Sequence, residues 1–266
     1  MASKFGARDE ARPGAQREES LEKEARPAVV PTGIIGFDDI MGGGLPAGNL
    51  YLLSGVLGSN TTLFAQQTLY NTVIRKGKVT YYTVEHSSTD IIQDMQLYGM
   101  NVQEYVDDGS WVFARVVPKG IKKVLEALPD VPMEQRIDVG ESLSNLMNNF
   151  HDSVKEGRNT ALHLPQLIRS FPLEEVQNLL FFMAGVARKY GGAHFLLLTE
   201  GAHEEEYMIT IKDAVDTVFE FSAETRGAEI ENTITIQKIR GTLPKMRLIR
   251  LTARENGLIT ETIRRV

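Results

Sequence analysis

The 266-residue chain is 42% apolar and 24% charged with a formal net charge of -6, which fits one large α/β domain and argues against a surface that is basic overall. It holds no cysteine, which excludes disulfides, thiolate zinc sites and cysteine nucleophiles. No stretch approaches the ~18 apolar residues that span a bilayer, and the N-terminus lacks the apolar run of a signal peptide, so a cytoplasmic protein without membrane contact is expected.

Residues 1–28 alternate Arg, Lys, Glu and Asp with Ala, Pro and Gly. With few large groups to bury, they are expected to form a flexible charged tail, an arm that folds onto a neighbouring subunit being the alternative. One domain is expected over residues 29–266. Gly42, Gly43 and Gly44 predict a turn that brings the leading segment onto a sheet. Residues 49–54 (NLYLLS) read as a buried strand, and residues 63–76 as a helix closed at C′ by Gly77. Residues 79–85 (VTYYTVE) are a second strand, after which Ser87 or Ser88 caps a helix that runs through Tyr98 and ends at Gly99. Strands follow at residues 111–117 (WVFARVV) and 160–164 (TALHL). Between them lies a variable insertion, residues 118–158, with Pro118, Pro129, Pro132 and a helix near 141–156. Pro172 opens a helix to Tyr190 with Leu173, Val176, Leu179, Leu180, Met183 and Val186 on its buried side. A fifth strand is expected at 193–199 (AHFLLLT), and antiparallel strands at 214–222, 232–239, 245–251 and 258–262 extend one sheet edge.

Between the first strand and its helix stands Gly55-Val56-Leu57-Gly58-Ser59-Asn60-Thr61-Thr62, in the place of a phosphate-binding loop, G-x-x-x-x-G-K-[ST]. In such a loop the backbone N–H groups converge on phosphate oxygens, the lysine spans the β and γ phosphates, and the hydroxyl holds Mg²⁺. Asn60 replaces the second glycine, a change that positive φ tolerates. Thr61 replaces the lysine without its charge, and Thr62 keeps the hydroxyl for a metal. A strand-to-helix turn kept for its shape is the plain alternative. Weak anion binding at the helix N-terminus survives under either reading.

The segments PTGIIGFDDIMGGGLPAGNLYLLSG (31–55), KVTYYTVEHSSTDIIQDMQLYGMNV (78–102) and TITIQKIRGTLPKMRLIRLTARENGLI (233–259) resemble the KaiC and RadA branch of the RecA-like P-loop ATPases. The resemblance covers residues 29–266 and is weakest over 118–158. It implies an α/β fold with a mostly parallel RecA-like central sheet flanked by helices and antiparallel strands at the C-terminal edge. It places Glu85 where the family's carboxylate activates the attacking water, with His86 where a second carboxylate often stands; a cap for the next helix is the alternative role for Glu85. The Walker B aspartate falls on Pro165, which has no carboxylate. His163 lacks a partner at ligand spacing and reads as a buried, hydrogen-bonded histidine. Glu200 takes a sensor position or begins an acidic solvated loop with Glu204, Glu205 and Glu206. Lys238 and Arg240 of Lys238-Ile239-Arg240-Gly241 match basic residues that reach the nucleotide of a neighbouring subunit.

With Thr61 for the lysine and Pro165 for the aspartate, the groups that neutralise phosphate and hold metal are both replaced. The expected function is a pseudo-ATPase that serves as an oligomeric scaffold or regulatory subunit and binds a protein or peptide partner. No cofactor is expected, ATP and Mg²⁺ being held weakly at most. One alternative is a nucleic-acid-binding recombination accessory protein with the C-terminal basic strands as its track, against which stand the acidic charge and the scarcity of aromatics there. Another is an unorthodox ATPase that borrows Lys238 of a neighbour. Residues 200–231 carry ten carboxylates against Lys212 and Arg226, whereas Lys238, Arg240, Lys245, Arg247, Arg250, Arg254, Arg264 and Arg265 follow against Glu255 and Glu261. Opposite patches favour head-to-tail association, and the resemblance implies a ring, commonly six-membered. Neutralisation of the two runs within one chain is the alternative.

Overall fold

The computed structural model describes residues 28–120, 122, 134–201, 204–226 and 229–261. Residues 1–27 of the expected tail, Pro129, Pro132, Arg264 and Arg265 lie outside the described residues. A short antiparallel pair, β1 (Val29–Val30) with β2 (Leu45–Pro46), brackets the one-turn helix α1 (Phe37–Ile40). The Asp38 carboxylate gathers this entry, accepting from the Thr32 N–H at 2.9 Å, the Thr32 hydroxyl at 2.8 Å and the Gly33 N–H at 3.1 Å. Gly42, Gly43 and Gly44 all hold positive φ, so the glycine run is the turn that the sequence implies.

The main sheet is built from β3 (Asn49–Gly55), β4 (Lys78–Thr83), β5 (Trp111–Pro118), β6 (Glu134–Gly140), β7 (Arg158–His163), β8 (Ala193–Thr199), β9 (Thr217–Arg226), β10 (Glu229–Lys238), β11 (Leu248–Arg254) and β12 (Gly257–Glu261). Its order is β12-β11-β10-β9-β3-β8-β7-β4-β5-β6. Pairing is parallel from β9 to β6 and antiparallel from β9 to β12. The mostly parallel sheet with an antiparallel C-terminal edge therefore stands as expected.

Successive strand residues face opposite sides, and β3 shows the consequence for the core. Tyr51 and Leu53 join the layer under α2 (Thr61–Ile74) and α3 (Ser88–Gln96), whereas Leu50 and Leu52 join the layer under α5 (Ser144–Lys155), α6 (Pro165–Ser170), α7 (Leu173–Tyr190) and α8 (Glu205–Ala214). A small helix, α4 (Gln103–Asp107), follows α3. Both sheet faces are covered, which is why β3 and β8 read as continuous apolar runs. The ring of Phe64 from α2 meets Phe37, Phe221 and Phe219 edge-on at centroid distances of 5.1, 5.5 and 6.0 Å. Such pairs add about 0.5–1.5 kcal/mol beyond the area they bury; here they fix α2 against α1 and β9. Among the described residues no helix is long and apolar enough to cross a membrane.

Several local expectations need correction. Gly77 does not take the left-handed C′ position of α2; Lys76 does, with φ 64°. The Lys76 N–H bonds Val73 O at 2.8 Å and the Gly77 N–H bonds Thr72 O at 2.9 Å, a Schellman closure one residue earlier than expected. Gly77 is needed because a Cβ there would lie 2.7 Å from the Thr72 methyl carbon. The second strand ends at Thr83 rather than Glu85, because the chain turns to let Ser87 cap α3. The Ser87 hydroxyl accepts from the Asp90 N–H at 3.2 Å and the Ser87 N–H bonds the Asp90 carboxylate at 3.3 Å, a reciprocal box, so Glu85 is not the cap. Glu204 to Glu206 do not form a solvated loop. Glu205 and Glu206 occupy the first turn of α8, where carboxylates complement the helix dipole. That helix runs to Ala214, so the strand expected from residue 214 starts at Thr217, and the one expected from residue 245 starts at Leu248. The insertion contributes a further parallel strand, β6, at the sheet edge, where buried Ile137 and Val139 alternate with exposed Arg136 and Asp138.

Candidate functional site

The cleft lies at the carboxyl end of β3, where the chain leaves the sheet and enters α2. Gly58 takes φ 83° and Asn60 takes φ 64°, ψ 16°, so the Asn at the second-glycine position occupies the left-handed region that the sequence predicts for it. The Asn60 side chain makes no capping bond, leaving the first-turn N–H groups of α2 without the usual side-chain acceptor. Other loop amides are used internally: the Val56 N–H bonds Phe221 O at 3.3 Å and the Ser59 N–H bonds Val56 O at 3.2 Å.

Thr61 does not point a polar group outward as a lysine would. Its hydroxyl lies 2.9 Å from the buried Ser59 hydroxyl, which in turn donates to Val56 O at 2.6 Å. Both hydroxyls press against Gly55, where a Cβ would come within 2.3 Å of Thr61 Oγ1 and 2.4 Å of Ser59 Oγ. The loop is therefore laced to its own base. Glu200 reinforces that base: its N–H bonds Gly55 O at 2.9 Å and its carboxylate accepts from the Ser54 hydroxyl at 2.9 Å. Glu200 thus holds the loop root and does not open a solvated run.

Together the loop, α3 and the ends of β7 and β8 enclose about 380 Å³. Among the lining residues are the six expected of the loop, Gly55, Gly58, Ser59, Asn60, Thr61 and Thr62. Among the described residues, the sole formally charged side chain lining this space is Asp94, an exposed carboxylate. Leu57 and Leu97 form an apolar rim, 86% and 74% exposed. Sequence reasoning missed Asp94, Leu97 and Tyr98. The available signal was helical spacing: α3 buries Ile91, Ile92 and Met95, which leaves Asp94, Leu97 and Tyr98, at i, i+3 and i+4, on another face.

Pro165 is the first residue of α6, two positions beyond the end of β7, and it lines the cleft without a carboxylate. His163 lies in the same wall, with its Nε2 3.1 Å from the Tyr81 hydroxyl. Burial lowers the His163 pKa to about 4, so the ring is neutral at pH 7 and brings no charge to a phosphate. The His86 ring sits 6.2 Å from it. Among the described residues no group of three or more His, Asp or Glu gathers as metal ligands. Glu85 borders a smaller adjoining hollow, shared with His163 and Pro165. Its carboxylate is half-exposed and stands 3.7 Å from Arg169 of α6.

Lys238 and Arg240 are not brought to this cleft. The Lys238 ammonium bonds the carbonyls of Asp213 at 3.0 Å and Lys212 at 3.4 Å, closing the C-terminus of α8. Arg240 stands 3.6 Å from Asp216, which is buried and also holds Arg188 at 2.8 Å and the Leu50 N–H at 3.1 Å. Lys212 pairs with Glu220 inside the acidic run, whereas Arg250 of the basic run pairs with Glu231. The acidic and basic runs thus neutralise each other in part within one chain. Lys245 and Arg247 are exposed and make no ion pair among the described residues.

Comparison with known proteins places this chain in a family. The model of the family described as ATPase: KaiC matches residues 30–262. The circadian clock oscillator protein KaiC of Thermostichus vulcanus is 28% identical over 240 residues, covering 86% of this chain and 43% of that protein. KaiC of Synechococcus elongatus is 30% identical over 224 residues, 81% of this chain and 40% of that protein. The chain thus spans about two fifths of the length of these relatives. The UPF0273 protein PH0284 of Pyrococcus horikoshii is 25% identical over 245 residues, 86% of this chain and 92% of that protein. In fold, the KaiC-like protein PH0186 of Pyrococcus horikoshii superposes with a TM-score of 0.70 at 19% identity, covering 89% of this chain and all of that one. With a RecA-like sheet, a strand-to-helix turn at the end of β3 and a family match over residues 30–262, this protein belongs to the KaiC family.

Proposed function

We propose that this chain is a KaiC-family pseudo-ATPase that acts as an oligomeric scaffold or regulatory subunit through binding of a protein or peptide partner. The observation that carries the proposal is the charge of the cleft: its loop keeps the phosphate-binding turn, yet Asp94 is its sole charged lining residue among those described and Thr61 is turned inward. A nucleoside triphosphate brings several negative charges. Phosphoryl transfer rests on positioning and on cations that neutralise charge as it develops. A cleft with a carboxylate and a neutral His163 supplies neither the lysine nor a carboxylate at Pro165 to fix Mg²⁺.

A second reading, nucleotide or anion held weakly without turnover, is favoured by the uncapped N–H groups at the start of α2 and by the hydroxyl of Thr62. The nucleic-acid reading loses support from the pairing of Arg250 with Glu231 and Arg240 with Asp216, which withdraws two cations from any backbone track. Steady-state phosphate release by the purified chain with ATP and Mg²⁺ tests the proposal. No release above background is expected; turnover that Glu85→Gln abolishes would overturn it.

A further inference from the structure

The last turn of α3 runs against the local electrostatics of a helix. Asp94 stands there, although the C-terminal carbonyls of a helix carry partial negative charge and favour cations. It also follows Asp90 by four residues, a spacing at which like charges repel. No basic residue of the last turn offsets either cost, and Asp94 makes no ion pair or hydrogen bond among the described residues. This carboxylate lies on the wall of a cleft of about 380 Å³, a size within the range of small-molecule sites. Its counter-charge is missing from the chain itself.

A buried acceptor faces the same space. Gln66 is 5% exposed and lines the cleft. Burial above all raises the pKa of the Tyr81 hydroxyl; a bond from Gln66 lowers it, and the charge of Asp94 raises it. A bond that favours the phenolate is one donated to its oxygen, so the Gln66 amide nitrogen is engaged by Tyr81. The Gln66 carbonyl oxygen has no partner among the described residues and is left to the cleft. Asp94 and Gln66 both act on one hydroxyl, which puts a carboxylate and a neutral acceptor on the same side of the space. The surface around them is apolar or aromatic: Leu57 and Leu97 are exposed, and the Tyr98 ring belongs to the same lining.

We infer that the α3 wall of this cleft is a binding site for a small alkylguanidinium, with the planar cation between Asp94 and the Gln66 carbonyl oxygen and its apolar stem against Leu57, Leu97 and Tyr98. A guanidinium carries its N–H donors in a fixed plane, enough to reach two separate acceptors at once. It is more weakly hydrated than an ammonium, so a half-buried site desolvates it at smaller cost, and its face stacks on an aromatic ring. The uncapped N–H groups of α2 repel a cation, which keeps the charge on the α3 side. Such a site rests on the pseudo-ATPase reading in one respect, that no nucleotide fills the space, and it gives a regulatory subunit an effector class, an organic cation.

Calorimetric titration of the purified chain with n-butylguanidinium chloride tests the site, with n-butylurea as the neutral molecule of the same shape. Saturable binding of the cation is expected, and none of the neutral molecule over the same concentrations. Asp94→Asn, at an exposed position, is expected to weaken binding about tenfold, as the loss of one charge-assisted hydrogen bond implies. The same change leaves the thermal midpoint of the free chain unchanged or raises it, because it removes a carboxylate from the wrong end of a helix. Gln66→Met, which keeps the bulk and removes the carbonyl oxygen, is expected to weaken binding several-fold. Equal affinity for n-butylurea, or an Asp94→Asn chain that binds the cation as tightly as the original, overturns the site. Titration of the same samples with ATP and Mg²⁺ keeps this failure apart from that of the pseudo-ATPase reading. Binding of neither ligand overturns the cation site and leaves that reading standing; micromolar ATP binding that excludes n-butylguanidinium overturns both.

Discussion

At the scale of single residues, Gly55 and Thr61 decide what the loop is. A methyl group at Gly55 would collide with both hydroxyls and with Phe221, whose Cβ would be 2.8 Å away. Gly55→Ala is therefore expected to destabilise the fold by about 1–3 kcal/mol, the usual result of overpacking, read as a lower midpoint in urea unfolding. His163 and His194 are a second residue-scale determinant. Burial holds both pKa values at about 4, below the ordinary histidine value of about 6.5. Between those limits the unfolded chain binds more protons than the folded one, so stability is present above pH 6.5 and falls as pH drops toward 4. Urea midpoints measured from about pH 7 to about pH 4 are expected to fall, and His194→Gln is expected to flatten part of that slope.

At the scale of elements, the caps carry the predictions and also show what was legible. The cap of α3 was readable only as Ser87 or Ser88, and the bond from the Asp90 N–H assigns it to Ser87; Ser87→Ala is expected to cost about 1 kcal/mol, measured by thermal or urea unfolding. The end of α2 was not readable, since lysine at positive φ runs against its propensity and only the bonds to Thr72 and Val73 reveal it. Lys76→Gly is expected to be neutral or stabilising by up to ~1 kcal/mol, whereas Gly77→Ala destabilises through the Thr72 contact; urea midpoints of the two variants check the opposite signs. The long apolar strands β3 and β8 and the helix α7 were legible for a simple reason: burial on two faces or one stripe imposes a period. The strand β6 was hidden because only Ile137 and Val139 of its residues carry a buried apolar face, and the helix α8 because its acidic first turn resembles a solvated loop. The loop residues of the cleft were legible through their position after a strand. Asp94 and Leu97 were not, because their place in the cleft depends on how α3 packs, a long-range fact that local spacing leaves open.

At the scale of the whole molecule, a RecA-like sheet carries a cleft at the end of β3 in which Asp94 is the sole charged lining side chain among the described residues. Partial neutralisation of the acidic and basic runs, through the pairs Asp216–Arg240 and Glu231–Arg250, leaves Lys245 and Arg247 of the 239–247 segment exposed. On the proposed function, this cleft does not take ATP as a substrate. Calorimetric titration of the purified chain with ATP, with and without Mg²⁺, tests it most directly. The account predicts no Mg²⁺-dependent saturation and any binding weaker than about 1 mM, equivalent to about -4 kcal/mol. Micromolar binding that requires Mg²⁺ would contradict it.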